Sequence, residues 1–317
     1  MLLNILLLIL GFVFLIKGAD FFVDGASSTA QNFKVSKMLI GLTIIAFGTS
    51  SPEFAVSMQS LAKGSTDMLL GNVIGSNILN ILLILGVAAV IHPIKIKDNT
   101  VKKELPLCML ISSLLVVLFL DIKLANATIN QITRSDAIVI IILFTIFIYY
   151  LISLVRQKKE TNEDEKPQFK LGKSLLFVAL GLIGIILGSN MVVNNASSIA
   201  IKLGLSERII ALTIIAFGTS LPELVTTIVS SSKGEQDLLL GNIIGSNIFN
   251  ACVVLGIPVA IYGTITPSSF NYIDLIALVG SSCLLFLFAE TKRTITRFEG
   301  ILMLIAFAIY YILVFVI

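Results

Sequence analysis

Charge is scarce in this chain of 317 residues: Asp, Glu, Lys and Arg make up 13% of it, against 56% hydrophobic residues. That balance cannot clothe a globular surface facing water. Histidine occurs once, as His92 beside Pro93 at the end of an apolar run. Without a second imidazole it suits an interfacial or capping role better than metal ligation. Cysteine occurs three times, as Cys108, Cys252 and Cys283, within or near apolar runs and without metal-type spacing. These read as small buried hydrophobes, and no disulfide is expected. There is no HExxH, no P-loop and no pair of catalytic aspartates, so neither proteolysis nor ATP-driven pumping is supported, no cofactor is called for, and the chain is not read as an enzyme. The first apolar run lacks a cationic start and a small-x-small cleavage site, so it is read as a membrane helix rather than a signal peptide.

What the chain has in quantity is long apolar runs, and its mean hydropathy is +1.01. Each run is about 17 to 25 residues, the length a helix needs to cross roughly 30 Å of hydrocarbon and far too long for a barrel strand. Ten spans are expected: Leu2 to Phe22, Met38 to Leu61, Met68 to Ile91, Leu105 to Leu120, Ala137 to Leu154, Leu175 to Val193, Ile209 to Ser231, Leu238 to Tyr262, Ile273 to Ala289 and Ile301 to Ile317. The predicted fold class is an all-α integral membrane protein.

Cations set the orientation. With ten spans, one set of alternating loops holds 16 Lys and Arg residues, among them Lys34, Lys37, Lys95, Lys97, Lys102, Lys103, Lys233 and Arg293. The opposite set holds only Lys63, Lys123, Arg134, Lys202 and Arg208. The positive-inside rule places the first set in the cytoplasm and both termini outside, probing a cell membrane crossed many times. Net charge +3 then needs no nucleic-acid partner. The connection Arg156 to Lys173 carries Glu160, Glu163, Asp164 and Glu165 among lysines and reads as a solvated linker.

A repeat runs through this pattern. Leu42 to Asn80 and Leu212 to Asn250 align without a gap at an offset of 170, with 25 of 39 positions identical. Gly18 likewise matches Gly188, and Ala26-Ser27-Ser28 matches Ala196-Ser197-Ser198. An offset of five spans is an odd number of crossings, so the second copy enters the membrane from the opposite side. The expectation is two inverted five-helix repeats, residues 1–155 and 175–317, joined by a linker at 156–174. That is the architecture of secondary transporters, in which an element opening to one side has a counterpart opening to the other.

Each copy carries a Glu-centred run, Gly48-Thr49-Ser50-Ser51-Pro52-Glu53 and Gly218-Thr219-Ser220-Leu221-Pro222-Glu223. Proline removes a donor and crowds the carbonyl four residues back, here Gly48 and Gly218. Broken backbone is tolerated at membrane depth only inside protein or beside a polar cavity, and carbonyls, hydroxyls and carboxylate are what a hard cation takes as ligands. A simple packing kink would leave Glu53 and Glu223 unexplained. An ionised carboxylate near the bilayer centre costs several kcal/mol and is seldom kept without a function. Two of them at ~4 to 5 Å would repel by roughly 3 to 4 kcal/mol at an effective dielectric near 20, which a bound cation removes.

The following helix of each copy begins Gly71-Asn72-Val73-Ile74-Gly75-Ser76-Asn77 and Gly241-Asn242-Ile243-Ile244-Gly245-Ser246-Asn247. Glycines four apart are expected to let helices approach closely. Ser76 with Asn80, and Ser246 with Asn250, share faces that can complete an oxygen shell. Asn72, Asn77, Asn242 and Asn247 suit either ion ligation or glue between helices.

The paired GTSxPE and GNxxGSNxxN runs resemble the cation/calcium antiporter superfamily, in particular its prokaryotic-type sodium/calcium exchangers, over nearly the whole chain. The resemblance implies ten transmembrane helices in two inverted repeats, with the first and sixth helices sliding during transport. It implies a calcium site of the Glu53 and Glu223 carboxylates with the Thr49 and Thr219 carbonyls. A sodium site nearer the cytoplasm would use the Ala46 carbonyl, Thr49, Glu53 and Ser76, and its mirror the Ala216 carbonyl, Thr219, Glu223 and Ser246. Ser50 and Ser220 would neighbour these sites, and Asn80 and Asn250 would line the middle. The partners implied are calcium, sodium and the lipid bilayer, with a monomer compatible. Relatives often carry Asp at the position of Asn250; here Asn stands at both Asn80 and Asn250, which argues against potassium co-transport and weakens proton coupling there. Three Na⁺ for one Ca²⁺, the exchange the resemblance implies, is electrogenic. A calcium/proton antiporter is the near alternative, and a cation channel the alternative from another class.

Overall fold

The computed structural model describes residues 1–124, 127–156, 167–204, 216–266 and 272–316. They are almost entirely helical. We number the longer helices in chain order: α1 (Leu2–Phe33), α2 (Lys37–Thr49), α3 (Ser51–Ala62), α4 (Thr66–Ile91), α5 (Leu105–Leu118), α6 (Arg134–Arg156), α7 (Leu171–Lys202), α8 (Leu221–Ser232), α9 (Gln236–Tyr262), α10 (Tyr272–Lys292) and α11 (Arg297–Val316). Among the described residues seven are long and apolar enough to cross a membrane, and α2 with α3, interrupted at Ser50, makes an eighth candidate. The fourth expected span coincides with α5, a helix of 14 residues that is not among those seven, led into by a π-helical stretch Thr100–Glu104 that carries Lys102 and Lys103. The start of the seventh expected span, and the linker from 157 to 166, lie outside the described residues.

The chain divides into two compact units, each drawing on both sequence halves. One is Met1–Pro52 with Leu154–Asn242, the other Glu53–Ser153 with Ile243–Ile317.

In the first unit α1 and α7 run antiparallel in close contact. A Cβ on Gly18 would lie 2.7 Å from the Ile185 nitrogen, and one on Gly188 2.6 Å from the Leu15 nitrogen. Only glycine permits backbones to approach so far, and the dispersion contact that results is a main source of helix association in lipid. Leu15, Ala19, Phe22, Val23, Ile45, Ile185, Val192 and Val229 form the apolar core around this pair. The Gly41 and Gly241 backbones also meet, with a Gly241 Cβ 2.7 Å from the Met38 carbonyl. The expected glycine packing therefore holds at Gly241. Beside Gly71 and Gly75 there is open space among the described residues. The counterparts of the Met38–Leu42 stretch that faces Gly241 are positions 208–212, outside the described residues.

The second unit joins α4, α5, α6, α10, α11 and most of α9. Its short strands β1 (Ile94–Lys95) and β2 (Thr294–Ile295) pair antiparallel. Ser282 donates to Ser112, 170 residues earlier, at 3.1 Å. Helices α6 and α11 open with matching reciprocal caps: the Thr133 N–H donates to Asp136 and the Asp136 N–H to Thr133, as do Thr296 and Glu299. These capping boxes satisfy amides the first turn would leave bare. Cys108 and Cys252 are buried and Cys283 partly so, all three unbridged. His92 follows the last turn of α4 and is exposed.

Candidate functional site

In the first unit the chain breaks helix at Ser50, between α2 and α3, where Pro52 blocks a continuous ladder. A π-helical stretch, Gly41–Ile45, precedes the break. Pro222 likewise sits in the first turn of α8, where its missing N–H costs nothing, and Glu223 follows it. That position places a carboxylate near the positive end of the helix dipole. Glu223 is 1% exposed; its Oε1 accepts a 2.9 Å hydrogen bond from the Ser50 hydroxyl, and Oε2 has no hydrogen-bond partner among the described residues. An ionised carboxylate so buried and half-satisfied is costly unless something positive joins it.

Hydroxyls and an amide surround this carboxylate helix. Thr49 donates to the Ile45 carbonyl at 3.1 Å and to the Asn242 side-chain oxygen at 3.1 Å, while Asn242 donates to Thr227 at 3.3 Å. Thr226 and Ser230 on α8 are buried with unpartnered oxygens. The Ala46 carbonyl, a predicted ligand, already accepts the Ser50 N–H at 3.0 Å. The Gly218 carbonyl, expected to be freed by Pro222, accepts the Ser189 hydroxyl at 2.8 Å. Ser220 caps α8 and is buried. Thr219 lies in the turn before it, and Ala216 begins a single helical turn, Ala216–Gly218.

In the second unit Glu53 sits in the first turn of α3, also 1% exposed. Asn72 donates to the Glu53 carbonyl at 2.9 Å and to the Ser57 hydroxyl at 2.9 Å. Asn72–Ser57 and Asn242–Thr227 are the same bond displaced by 170 in both residues. Asn77 and Asn247, also 170 apart, each donate to the other's backbone carbonyl at 3.2 and 3.3 Å, and Asn80 donates to the Asn247 side chain at 3.0 Å. The glue reading of Asn77 and Asn247 is thereby realised. Ser76 is buried. Ser246 and Asn250 are fully buried, and the Ser246 hydroxyl, both polar atoms of Asn250 and the side-chain oxygens of Asn77 and Asn80 have no hydrogen-bond partner among the described residues. π-Helical stretches cover Leu79–Leu85, which includes Asn80, and Asn250–Val254. Such stretches widen the backbone ladder and concentrate at functional positions.

Ser57 and Thr227 escaped sequence reasoning. Their signal was a hydroxyl kept at both positions 170 apart while the surrounding residues differ. Within each unit a buried carboxylate and buried side-chain oxygens without hydrogen-bond partners among the described residues make a chemistry suited to hard cations.

The profile of the family described as "Sodium/calcium exchanger protein" matches residues 3–153 and 173–316. The chain is 37% identical over 281 residues to inner membrane protein YrbG of Escherichia coli, covering 86% of this chain and 84% of that protein. It is 30% identical over 345 residues to the sodium/calcium exchanger MaX1 of Methanosarcina acetivorans, covering 98% of each. A solved structure of the sodium-calcium exchanger NCX_Mj superposes with a TM-score of 0.85 at 32% identity, covering 97% of each chain.

Proposed function

The chain belongs to the sodium/calcium exchanger family, and from that premise we propose that it exchanges sodium for calcium across the cell membrane by alternating access. The observation that carries this reading is the Glu223 carboxylate, buried to 1% exposure with one oxygen held by Ser50 and the other unpartnered among the described residues. A transported cation completes that shell.

In this reading Glu53 and Glu223 share one calcium with the Thr49 and Thr219 carbonyls. Sodium takes the flanking positions at Ala46, Thr49, Glu53 and Ser76 and at Ala216, Thr219, Glu223 and Ser246. Ser50 and Ser220 steady the carboxylates, and Asn80 and Asn250 line the centre. One Ca²⁺ neutralises two carboxylates, whereas three Na⁺ leave a net positive site, so exchange moves charge. Both ions need the same oxygens, so each displaces the other. The site without a cation, carrying two carboxylates, resists passage through an apolar gate, which couples the two fluxes.

Two inverted five-helix repeats, ten spans in all, are the frame for that motion. What supports them is the recurrence of interactions at a constant offset: Asn77 with Asn247, Ser112 with Ser282, and the Asn72–Ser57 and Asn242–Thr227 bonds. A residue that meets its own counterpart lies on the axis relating the copies. The cation-rich loops face the cytoplasm and both termini face out.

Purified protein in liposomes tests the proposal. An outward-directed sodium gradient at constant pH should drive radioactive calcium uptake, and a clamped voltage should change its rate. Glu53→Gln and Glu223→Gln should each abolish uptake while leaving monodisperse protein. Uptake driven by a proton gradient but not by sodium would replace this reading with calcium/proton antiport, and ohmic current without exchange would replace it with a channel.

A further inference from the structure

Six polar residues of the first unit converge where α1 passes the turn joining α8 to α9. The Lys233 ammonium donates to the Asp24 carboxylate at 2.7 Å and to the Asp20 carbonyl at 3.1 Å, and lies 3.4 Å from the Asp20 carboxylate. Two residues on, Glu235 accepts a 2.8 Å hydrogen bond from Ser27 of α1 and pairs with Lys37 at the start of α2 at 3.0 Å. The side chains of Lys37 and Glu235 are 25% and 17% exposed, and those of Lys233, Asp20 and Asp24 28 to 34%. Partial shielding strengthens such pairs relative to fully hydrated ones.

The counterparts 170 residues away do not carry the same charges. Asn190 and Asn194 stand for Asp20 and Asp24, and Ser65 for Glu235, while Lys63 keeps the charge of Lys233. Neither asparagine nor serine can form an ion pair, so the Lys233–Asp20, Lys233–Asp24 and Lys37–Glu235 pairs are not repeated by those counterparts. The Gly41–Gly241 contact lies in the same unit, whereas Gly71, the counterpart of Gly241, has open space beside it among the described residues.

We propose that Asp20, Asp24 and Ser27, with Lys37, Lys233 and Glu235, form a one-sided ionic latch that fastens α1 to the α8–α9 turn and holds the cation-rich face closed. The latch rests on the alternating-access reading, because it has a role only if α1 shifts during transport. For that shift the Lys233 and Glu235 connections must part together. With Asp20, Asp24 and Glu235 replaced by Asn190, Asn194 and Ser65 in the other copy, the protein at rest favours the state closed on the cation-rich side, and screening by salt weakens that preference.

The test uses the full chain in liposomes, with the three native cysteines replaced by alanine and Val229→Cys placed in the α1–α8 contact, where Val229 is 7% exposed. A membrane-impermeant maleimide added on the cation-rich side reports opening. Lys233→Gln with Glu235→Gln should raise the labelling rate about tenfold, as expected when two partly shielded connections are lost together. Raising the salt from low to molar concentration should speed labelling of the latch-intact protein and leave the double variant unchanged. Equal labelling with and without the charges overturns the latch. Should the double variant not be recovered as monodisperse protein, a salt-independent rate in the latch-intact protein overturns it instead. Sodium-driven calcium uptake by the latch-intact protein is measured in parallel, so failure of the exchange reading appears there and not in the labelling.

Discussion

Glycine-to-alanine substitution in this protein should change sign with position. At Gly18 the new methyl would lie 2.7 Å from the Ile185 nitrogen and 2.9 Å from the Gly181 carbonyl oxygen. Ordinary contact is about 3.5 Å, so the methyl intrudes by roughly 0.6 to 0.8 Å. The obstacles are backbone atoms, which no rotamer change can move aside, so α1 and α7 must separate along their length. Overpacking of this kind costs about 1 to 3 kcal/mol, and alanine's better helix propensity returns at most about 1 kcal/mol. A net loss of about 1 to 2 kcal/mol lowers the melting temperature of a chain this long by roughly 1.5 to 3 °C. Gly188→Ala, 2.6 Å from the Leu15 nitrogen, should behave alike. Gly71→Ala and Gly75→Ala meet nothing within 4 Å among the described residues. There the propensity gain stands alone, and stability should hold or rise by up to about 1 kcal/mol. Thermal unfolding of the purified protein in one detergent, followed by tryptophan-independent methods such as light scattering or circular dichroism, measures all four. A wild-type melting temperature for Gly18→Ala, or a large drop for Gly71→Ala, would refute the packing argument.

Two further outcomes follow from the amides. Asn77→Ala and Asn247→Ala each leave the other residue's buried backbone carbonyl bare, so each should destabilise by about 1 to 3 kcal/mol, and the double variant, in which both carbonyls remain, by roughly the sum; a parent-like thermal stability in either single variant would contradict the reciprocal bonds. Asn250→Asp puts a titratable group at a fully buried position whose polar atoms have no partner among the described residues. Transport measured across pH should become more pH-sensitive than in the parent, and an unchanged profile would remove Asn250 from the ion path.

Much of the site was legible because it is written twice. A carboxylate after proline in an apolar run is expensive wherever it stands, so Glu53 and Glu223 announce themselves without a structure. Burial of both to 1% agrees with that expectation. Ser57 and Thr227 were not legible in the same way, since a hydroxyl on a helix ordinarily bonds its own backbone and needs no distant partner. The carbonyls that proline frees were legible as a number and not as a fate: Gly218 is taken by Ser189, whose counterpart 170 residues earlier is Ala19 and has no hydroxyl to offer.

Sequence alone determined the membrane class, the duplication and the oxygen-rich motifs, because apolar length, residue type and offset are local or purely sequential properties. Tertiary structure alone decided that the Gly241 backbone meets the α2 backbone at Gly41. Gly71 and Gly241 begin the same seven-residue pattern, yet one faces open space among the described residues and the other a backbone. It also decided that Lys233 and Glu235 reach α1, more than 200 residues away in the chain. Contacts of that kind depend on which helix faces which, and helix faces are paired by packing over the whole fold rather than by any single run of residues.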